Sequence, residues 1–344
     1  MPARSPSPRK APALCFINEL WMPDKTLVNH DAYYEYFNDQ WSLIAGYSNG
    51  QYVATQSVQE YIRLAKEIRD GKTFEEMMGD MMQHGVTYEA CRQSINLTLR
   101  LLLMMRFGAV KGEINPQRKL AWACDGSLQA YVKRHFTQPQ LLSCSRLRLP
   151  KSFNAWSLET IGAIEVCFTD NLADHLYVED YSKVFVFRHA SFLEYNRNSP
   201  VFPEGFIDET LRTLALLFPH SLFSENPTIS NNTNGYTWFK KLCSRHHETI
   251  DPQLNKCKLE AGERQIECFT FWRDRLIILK EAYDDATPGT LNQWWHDRRN
   301  GVQWCTFWVA FTVAIFTILT GFAQLGIAAK QLELQQHQLD KGCS

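Results

Sequence analysis

The chain has 344 residues, and its 36 Lys and Arg residues against 37 Asp and Glu residues leave a formal net charge of -1. This balance provides no positive field to attract nucleic acid, so no nucleic-acid partner is expected. The hydrophobic fraction of 45% indicates a globular core, and the mean hydropathy of -0.32 argues against several membrane spans.

The N-terminal segment 1–13 is predicted to be disordered, because it holds four prolines and several basic residues but little apolar surface to bury. The apolar stretch that follows is short, and Asn18 and Glu19 interrupt it, so no signal-peptide core is recognised. The ten cysteines include no CxxC pair and are too sparse for a small disulfide scaffold. We therefore expect residues 1–301 to face the cytosol with reduced thiols.

Apolar periodicity predicts two helices in the first third of the chain. Residues 58–69 place apolar side chains every three or four positions, and Gly71 is expected to end that helix. Residues 88–105 are apolar enough to suggest a membrane span, but charged residues interrupt the run, which favours a buried core helix. The interrupting residues are Arg92, Arg100 and Arg106.

Three strands are predicted in the middle of the chain, over residues 161–169, 175–179 and 183–189. The first alternates apolar and polar residues, which indicates a strand with one buried face. The second and third are separated by an Asp-Tyr-Ser turn at 180–182. The third is rich in β-branched and aromatic residues, so we expect it to be the central strand of a small antiparallel sheet.

Helical patterns return in the second half of the chain. A helix is predicted after Pro203, with Asp208 as its N-cap and Pro219 as its stop. Residues 224–235 are rich in Asn, Ser and Thr and predict a loop, where the soluble region could divide into two subdomains. Residues 266–279 predict an amphipathic helix.

Asp170, Asp174 and His175 are the candidate catalytic residues, since they lie close together between two predicted strands. A carboxylate beside a histidine can orient the imidazole for general-base catalysis. The alternative is structural: Asp170 and Asn171 would form a turn that Asp174 caps. The turn is favoured, and no GxSxG nucleophile motif is present, so the sequence favours a protein without catalytic activity.

Cys243, His246 and Cys257 are the candidate metal ligands, because zinc is bound by closely spaced Cys and His side chains. The pair Cys243 and His246 alone has a tight spacing, so ordinary buried cysteines are the favoured interpretation. Neither a P-loop nor a GxGxxG motif occurs, and the 17 glycines are scattered. No metal and no cofactor are therefore predicted.

A run of 30 residues without charge lies between Arg299 and Lys330 and predicts a transmembrane helix over 302–329. Its apolar centre, 304–323, would span about 30 Å at the helical rise of about 1.5 Å per residue. Nine Phe, Val, Ile or Leu residues in that centre contribute roughly -3 to -5 kcal/mol towards insertion. The threonines oppose insertion weakly, because their hydroxyls can bond their own helix. A short polar tail, 330–344, follows.

Two sets of residues in and before the span have expected roles. Tryptophans cluster at its N-terminal end, as interface anchors do: Trp294, Trp295, Trp304 and Trp308. Small residues follow one face: Ala310, Ala314, Thr317 and Gly321. Such a face lets helices approach closely in lipid, so we expect a homo-oligomer formed through the span.

The 15 residues after the span predict post-translational insertion of the tail-anchored type, with residues 1–301 in the cytosol. A span of ordinary length fits an endomembrane or the plasma membrane equally well. The sequence therefore predicts a single-pass topology and leaves the choice of membrane open.

Several stretches of the chain occur in the same order in a known group of proteins. They include RQSINLTLRLLLMM at 92–105, VFVFRHASFLEY at 184–195 and QWWHDRRNGVQWCTFWVA at 293–310. In these stretches the chain resembles a family of unassigned activity from filamentous ascomycete fungi, and the matches cover most of residues 90–325. The resemblance implies a soluble region with a C-terminal single membrane span, and it implies no catalytic residues. A distant comparison of that family with CorA-like magnesium transporters implies ion transport as an alternative.

The predicted fold is therefore α+β: a mainly helical cytosolic domain over 14–290 with a small antiparallel sheet, followed by one C-terminal transmembrane helix. The leading functional hypothesis is a membrane-tethered interaction or regulatory protein that meets an unidentified protein partner at the lipid bilayer. The first alternative is an oligomeric CorA-like channel or transporter subunit, which the threonines of the span would line. The second is an enzyme that uses Asp174 and His175.

Overall fold

The computed structural model describes residues 11–21, 31–44, 52–82, 85–110, 119–122, 126–137, 139–142, 146–224, 233–245, 251–256, 258–286 and 301–342. These residues divide into two compact units, one that ends at Ala286 and one formed by the C-terminal helix. The first unit is mostly helical with one small sheet, and the second is a single long apolar helix. The predicted combination of a mainly helical unit, a small sheet and one apolar C-terminal helix is therefore confirmed.

The described residues form thirteen α-helices and three strands. The strands are β1 (Glu165–Thr169), β2 (Tyr177–Glu179) and β3 (Lys183–Phe187). The helices are α1 (Ala11–Leu20), α2 (Asp31–Ile44), α3 (Val58–Arg69), α4 (Phe74–Met82), α5 (Tyr88–Leu103), α6 (Leu128–Phe136), α7 (Ala155–Thr160), α8 (Ala190–Tyr195), α9 (Phe206–Leu217), α10 (His220–Phe223), α11 (Thr233–Arg245), α12 (Arg273–Asp285) and α13 (Gly301–Gly342).

The first helices agree closely with the sequence pattern, except at the N-terminus. Helix α3 has the predicted bounds, and Gly71 follows it with a φ of +97°, a value that favours glycine. Helix α1 begins at Ala11, so the last three residues of the predicted disordered segment are helical. The remainder of that segment lies outside the described residues.

Helix α5 is the central helix of the first unit, and α2, α3 and α4 pack against it. Most of its residues are buried, which confirms the prediction of a core helix. Arg100 is fully buried within it. Its guanidinium donates to the carbonyl oxygens of Phe107 (2.8 Å) and Gly108 (3.0 Å) and to the amide oxygen of Gln40 (3.1 Å). The core therefore accommodates this cation because nearby oxygen atoms replace its hydration.

The C-terminal end of α5 is held by two tyrosines from α2. The hydroxyls of Tyr33 and Tyr36 donate to the carbonyl oxygens of Leu101 and Arg100, both at 2.9 Å. Met104 then leaves the helix in a left-handed conformation, with a φ of 50°. The helix therefore ends near the predicted position. The Arg100 carbonyl also accepts the N–H of Met104, and the side chains from α2 add hydrogen-bond partners at this helix end.

The sheet has the order β1-β3-β2, so the predicted central position of β3 is confirmed. The prediction of an antiparallel sheet is correct for β2 and β3 but wrong for β1, which runs parallel to β3. The turn at 180–182 makes β2 and β3 neighbours and therefore antiparallel. The 3-10 turn at Leu172–Asp174 leads the chain from β1 to the far side of β3, an arrangement that strand patterns alone do not indicate.

Three predictions in the second half of the chain require correction. Helix α9 begins after Gly205, which has a φ of 78°, so Asp208 lies in the first turn and is not the N-cap. There Asp208 pairs with Arg197 at 2.8 Å. Helix α11 begins at Thr233, so the end of the predicted loop 224–235 is helical, while 225–232 lie outside the described residues.

The third correction concerns the predicted helix over 266–279, which is divided in the structure. A 3-10 turn forms at Ile266–Cys268, and α12 begins only at Arg273. The backbone N–H groups of Thr270, Phe271 and Trp272 all donate to the buried carboxylate of Glu209, at 2.7–2.8 Å. A continuous helix would direct these N–H groups to carbonyls four residues earlier, so a side chain from α9 determines where α12 begins.

Candidate functional site

His175, the predicted general base, is fully buried and lies against the core. Its Nδ1 accepts a hydrogen bond from the backbone N–H of Phe187 (3.1 Å), and its Nε2 lies 2.6 Å from Oγ1 of Thr213. Because Nδ1 accepts, the ring proton is on Nε2, which donates to Thr213. The ring also meets Trp272 edge-on at 4.9 Å. His175 is thus a neutral histidine with both nitrogens bonded inside the protein.

The burial of His175, together with the charge of Arg275, lowers its pKa from the ordinary 6.5 to about 3. Between these two values the unfolded chain takes up a proton that the folded chain does not. The contribution of His175 to the free energy of unfolding is therefore fully present above pH 6.5 and is lost as the pH falls towards 3.

When the pH falls from 6.5 to 5, proton uptake by His175 in the unfolded chain should lower the free energy of unfolding by about 2 kcal/mol. The expected slope is about 1.4 kcal/mol for each pH unit. The comparison is between the native chain and His175→Gln, which removes the titrating ring. Urea unfolding in detergent at pH 7.5 and pH 5 should show a larger acid-induced loss in the native chain. An identical pH dependence in both chains would contradict the assignment.

The two candidate carboxylates have partners other than His175. The Oδ2 of Asp174 accepts from the side-chain amide of Asn171 (2.8 Å), and the backbone N–H of Asp174 bonds the Asn171 carbonyl (2.9 Å). Asp170 Oδ1 accepts from Arg188 Nε (2.7 Å) and lies 2.6 Å from His189 Nε2. The three predicted residues therefore do not converge on one reacting position.

Among the described residues, His189 is the histidine that pairs with a carboxylate, and the sequence interpretation missed it. Its only signal was its place directly after the strand KVFVF, beside Arg188. Burial would raise the pKa of Asp170, but hydrogen bonds and charge from His189 and Arg188 hold that pKa well below its ordinary value. Asp170 therefore stays ionised, as the counter-ion of Arg188 and a hydrogen-bond partner of His189.

The surroundings of His189 leave no room for a substrate. The ring is 1% exposed and packs against Tyr36 and Phe187. Its Nδ1 has no hydrogen-bond partner among the described residues, and the adjoining cavity is about 10 Å³, which holds about one water molecule. The pair of His189 and Asp170 joins β1 to the end of β3, and among the described residues the imidazole of His189 is closed to a reactant, while the Asp170 carboxylate is partly exposed.

Of the three candidate metal ligands, only Cys243 is described, because His246 and Cys257 lie outside the described residues. Burial raises the pKa of the Cys243 thiol to about 11, which favours the protonated form, whereas a metal ligand must be a thiolate. Within the described part of the chain, no group of three or more His, Cys, Asp or Glu side chains could hold a metal ion.

The second unit carries the largest apolar surface of the described structure. Residues Trp304–Leu332 form 29 continuous helical residues, within which the most apolar stretch of 18 residues has a mean hydropathy of 1.9 and is not buried in the structure. The threonine hydroxyls of the segment donate to carbonyls of the same helix, as expected. These bonds run from Thr306, Thr312, Thr317 and Thr320 to Val302, Trp308, Val313 and Phe316, at 2.7–2.9 Å.

The residues expected to anchor and pair the span are partly described. Trp304 and Trp308 lie on α13 with ring centroids 6.4 Å apart, whereas Trp294 and Trp295 lie outside the described residues. The small face at Ala310, Ala314, Thr317 and Gly321 is open, and a Cβ added at Gly321 would meet no atom within 4 Å. Self-association through this face stays a prediction. The predicted polar tail is helical as far as Gly342.

Comparisons with protein-family models, curated proteins and solved structures find no match to this chain.

Proposed function

We propose that this chain is a single-pass membrane protein whose α13 helix anchors the globular unit, and any protein that binds it, at a cytosolic membrane surface. The observation that carries the proposal is the mainly apolar helical segment Trp304–Leu332, 29 residues long, in which no described residue is buried. The hydrocarbon core of a bilayer requires about 20 apolar helical residues, so this segment is long enough to cross it. Transfer into lipid would remove its exposed Phe, Val, Ile and Leu side chains from water.

The hydrogen bonding of α13 also suits a lipid environment. In hydrocarbon every backbone polar group needs an internal partner, which a continuous helix provides. The four threonine hydroxyls bond their own helix as well, so they add no exposed donor. For the same reason these hydroxyls give no specific support to the alternative of a channel lined by threonines.

The cytosolic orientation has two supports in the globular unit. Cys15, Cys91, Cys167, Cys243 and Cys268 are all free thiols, which is usual in a reducing compartment. Asn96, which opens an N-x-S/T sequence, is buried in α5, so the folded chain does not present this position for glycosylation. The resemblance to the fungal family that the sequence suggests continues into the span and implies the same topology.

The test is a glycosylation map of the full chain in eukaryotic cells. One variant carries an acceptor sequence for N-glycosylation before Met1, and a matched variant carries it after Ser344. The expected result is glycosylation of the second acceptor only, because only that end would reach the lumen. Glycosylation of the first acceptor would reverse the proposed orientation, and glycosylation of neither, with the chain in the soluble fraction, would overturn the proposal.

A further inference from the structure

An open cleft of about 590 Å³ lies in the globular unit. The end of α9, the turn from Pro219 to Leu222 and the segment 258–264 form its walls, and Lys151 lies at its edge. None of the sequence motifs considered above falls in this cleft.

The charged side chains that line the cleft are all basic. Lys151, His220, Lys258 and Arg264 contribute to the lining, and the described lining contains no Asp or Glu. Lys151 and Lys258 are exposed and form no ion pair with any described residue. The cleft therefore presents three permanent positive charges and no lining carboxylate, while Lys258 also borders a second cavity lined by Glu194, Asp208 and Glu263.

Arg264 is the unusual member of this group, because its side chain is largely buried, with 7% exposure. Its Nη1 donates to the carbonyl oxygen of Pro150 at 3.0 Å, and it pairs with no described carboxylate. The nearest acidic residue in sequence, Glu263, directs its carboxylate to the backbone N–H of Glu260 at 2.8 Å. Burial, with the charge of Arg148 added, lowers the pKa of Arg264.

The backbone holds Arg264 firmly in this position. The N–H of Leu149 donates to the Arg264 carbonyl (2.9 Å), and the N–H of Ile266 donates to the Leu147 carbonyl (2.9 Å). These bonds flank a β-bridge between Arg148 and Gln265. The guanidinium is thus supported by two backbone segments, as a binding residue needs to be.

A buried cation is costly unless an anion or several hydrogen-bond acceptors surround it. A guanidinium has five N–H donors, and one carbonyl bond leaves most of them available to an incoming anion. Arginine flanked by lysines is the arrangement that proteins use for phosphate, since the planar guanidinium can bind two phosphate oxygens together. Ala215, Leu222 and Leu259 add an apolar wall, which suits an organic group attached to the anion.

We propose that this cleft binds a phosphate monoester, with Arg264 as the central contact, Lys151 and Lys258 at the rim, and the apolar wall against the organic group. The monoester can belong to a soluble metabolite or to a lipid headgroup, because both present the same phosphate chemistry. This inference is independent of the membrane anchor.

The test uses the full chain in a non-ionic detergent at constant ionic strength, with inorganic phosphate, phenyl phosphate and a water-soluble short-chain phosphatidic acid as probes. Affinity is measured by calorimetry. The main variant is K151Q/K258Q, whose two exposed lysines form no ion pair with described residues. The matched control is K133Q/K241Q, which loses two exposed lysines that do not line the cleft. R264M tests the central contact, with its melting temperature measured alongside.

The native chain and K133Q/K241Q should bind phenyl phosphate more tightly than inorganic phosphate, and K151Q/K258Q should bind it at least about tenfold more weakly. Tighter binding of the short-chain phosphatidic acid than of phenyl phosphate would identify a lipid headgroup, and the reverse order a soluble ester. Equal affinity in K151Q/K258Q and its control, or no binding by the native chain beyond that of chloride, would overturn the proposal. Because the membrane insertion of α13 is measured separately, failure of either proposal leaves the other standing.

Discussion

Replacing Val313 and Phe316 by arginine is expected to move the protein from the membrane pellet to the supernatant after alkaline carbonate extraction. Both side chains are exposed and lie at the middle of the apolar segment of α13. An arginine at the centre of a membrane helix costs about 2.5 to 3.5 kcal/mol, so two cost about 5 to 7 kcal/mol. This exceeds the roughly -3 to -5 kcal/mol that the nine large apolar residues of 304–323 contribute, and the sign of the insertion free energy reverses.

The control for this experiment is V313L/F316L, which alters the same two positions but keeps the segment apolar. It should remain in the pellet with the native chain. If V313R/F316R also remained in the pellet, the globular unit would have to hold the membrane by contacts of its own, and α13 would lose its assigned role as the anchor.

Glu209→Ala should give a large loss of stability in the globular unit, on the order of 3 to 9 kcal/mol. The native carboxylate is 2% exposed and accepts three backbone N–H groups, those of Thr270, Phe271 and Trp272. Alanine leaves these donors without an acceptor, and each unsatisfied buried donor costs about 1 to 3 kcal/mol. Unfolding by urea in detergent, followed by tryptophan fluorescence, measures the loss.

Two variants calibrate this result. Glu267→Ala removes an exposed carboxylate that accepts one N–H, from Arg146 at 2.6 Å, so we expect a loss of no more than about 1 kcal/mol. Glu209→Gln keeps one acceptor oxygen at the same site and should lie between the native chain and Glu209→Ala. A loss for Glu209→Ala no larger than that for Glu267→Ala would show that the segment 270–272 does not depend on this carboxylate.

The candidate catalytic residues show that proximity in sequence does not predict which side chains are in contact. The sequence placed Asp170, Asp174 and His175 close together, and they are close along the chain. Their side chains nevertheless face different partners, because the chain turns through Leu172–Asp174 between two strands. His175 reaches Thr213, 38 residues away, and Asp170 reaches His189, 19 residues away. Whether these residues form a site is therefore decided by long-range contacts, which their spacing in the sequence does not predict.

The basic cleft was hidden from the sequence for the same reason. Lys151 and Arg264 are 113 positions apart, and no motif relates them. Arg264 pairs with the carbonyl of Pro150 only because a β-bridge brings 148 and 265 together. A buried arginine without a carboxylate partner can be recognised only once the residues around it are known.

The sequence by itself determined the features whose physics is local. The bounds of α3, the turn at Gly71, the core character of α5, the central position of β3 and the apolar α13 all follow from side-chain periodicity or composition within about one element. Only the tertiary structure decided that β1 runs parallel to β3, that α12 begins at Arg273, and which partners the buried His175 and Arg264 have. A buried polar group must find a partner wherever the fold supplies one, and that partner is usually distant in sequence.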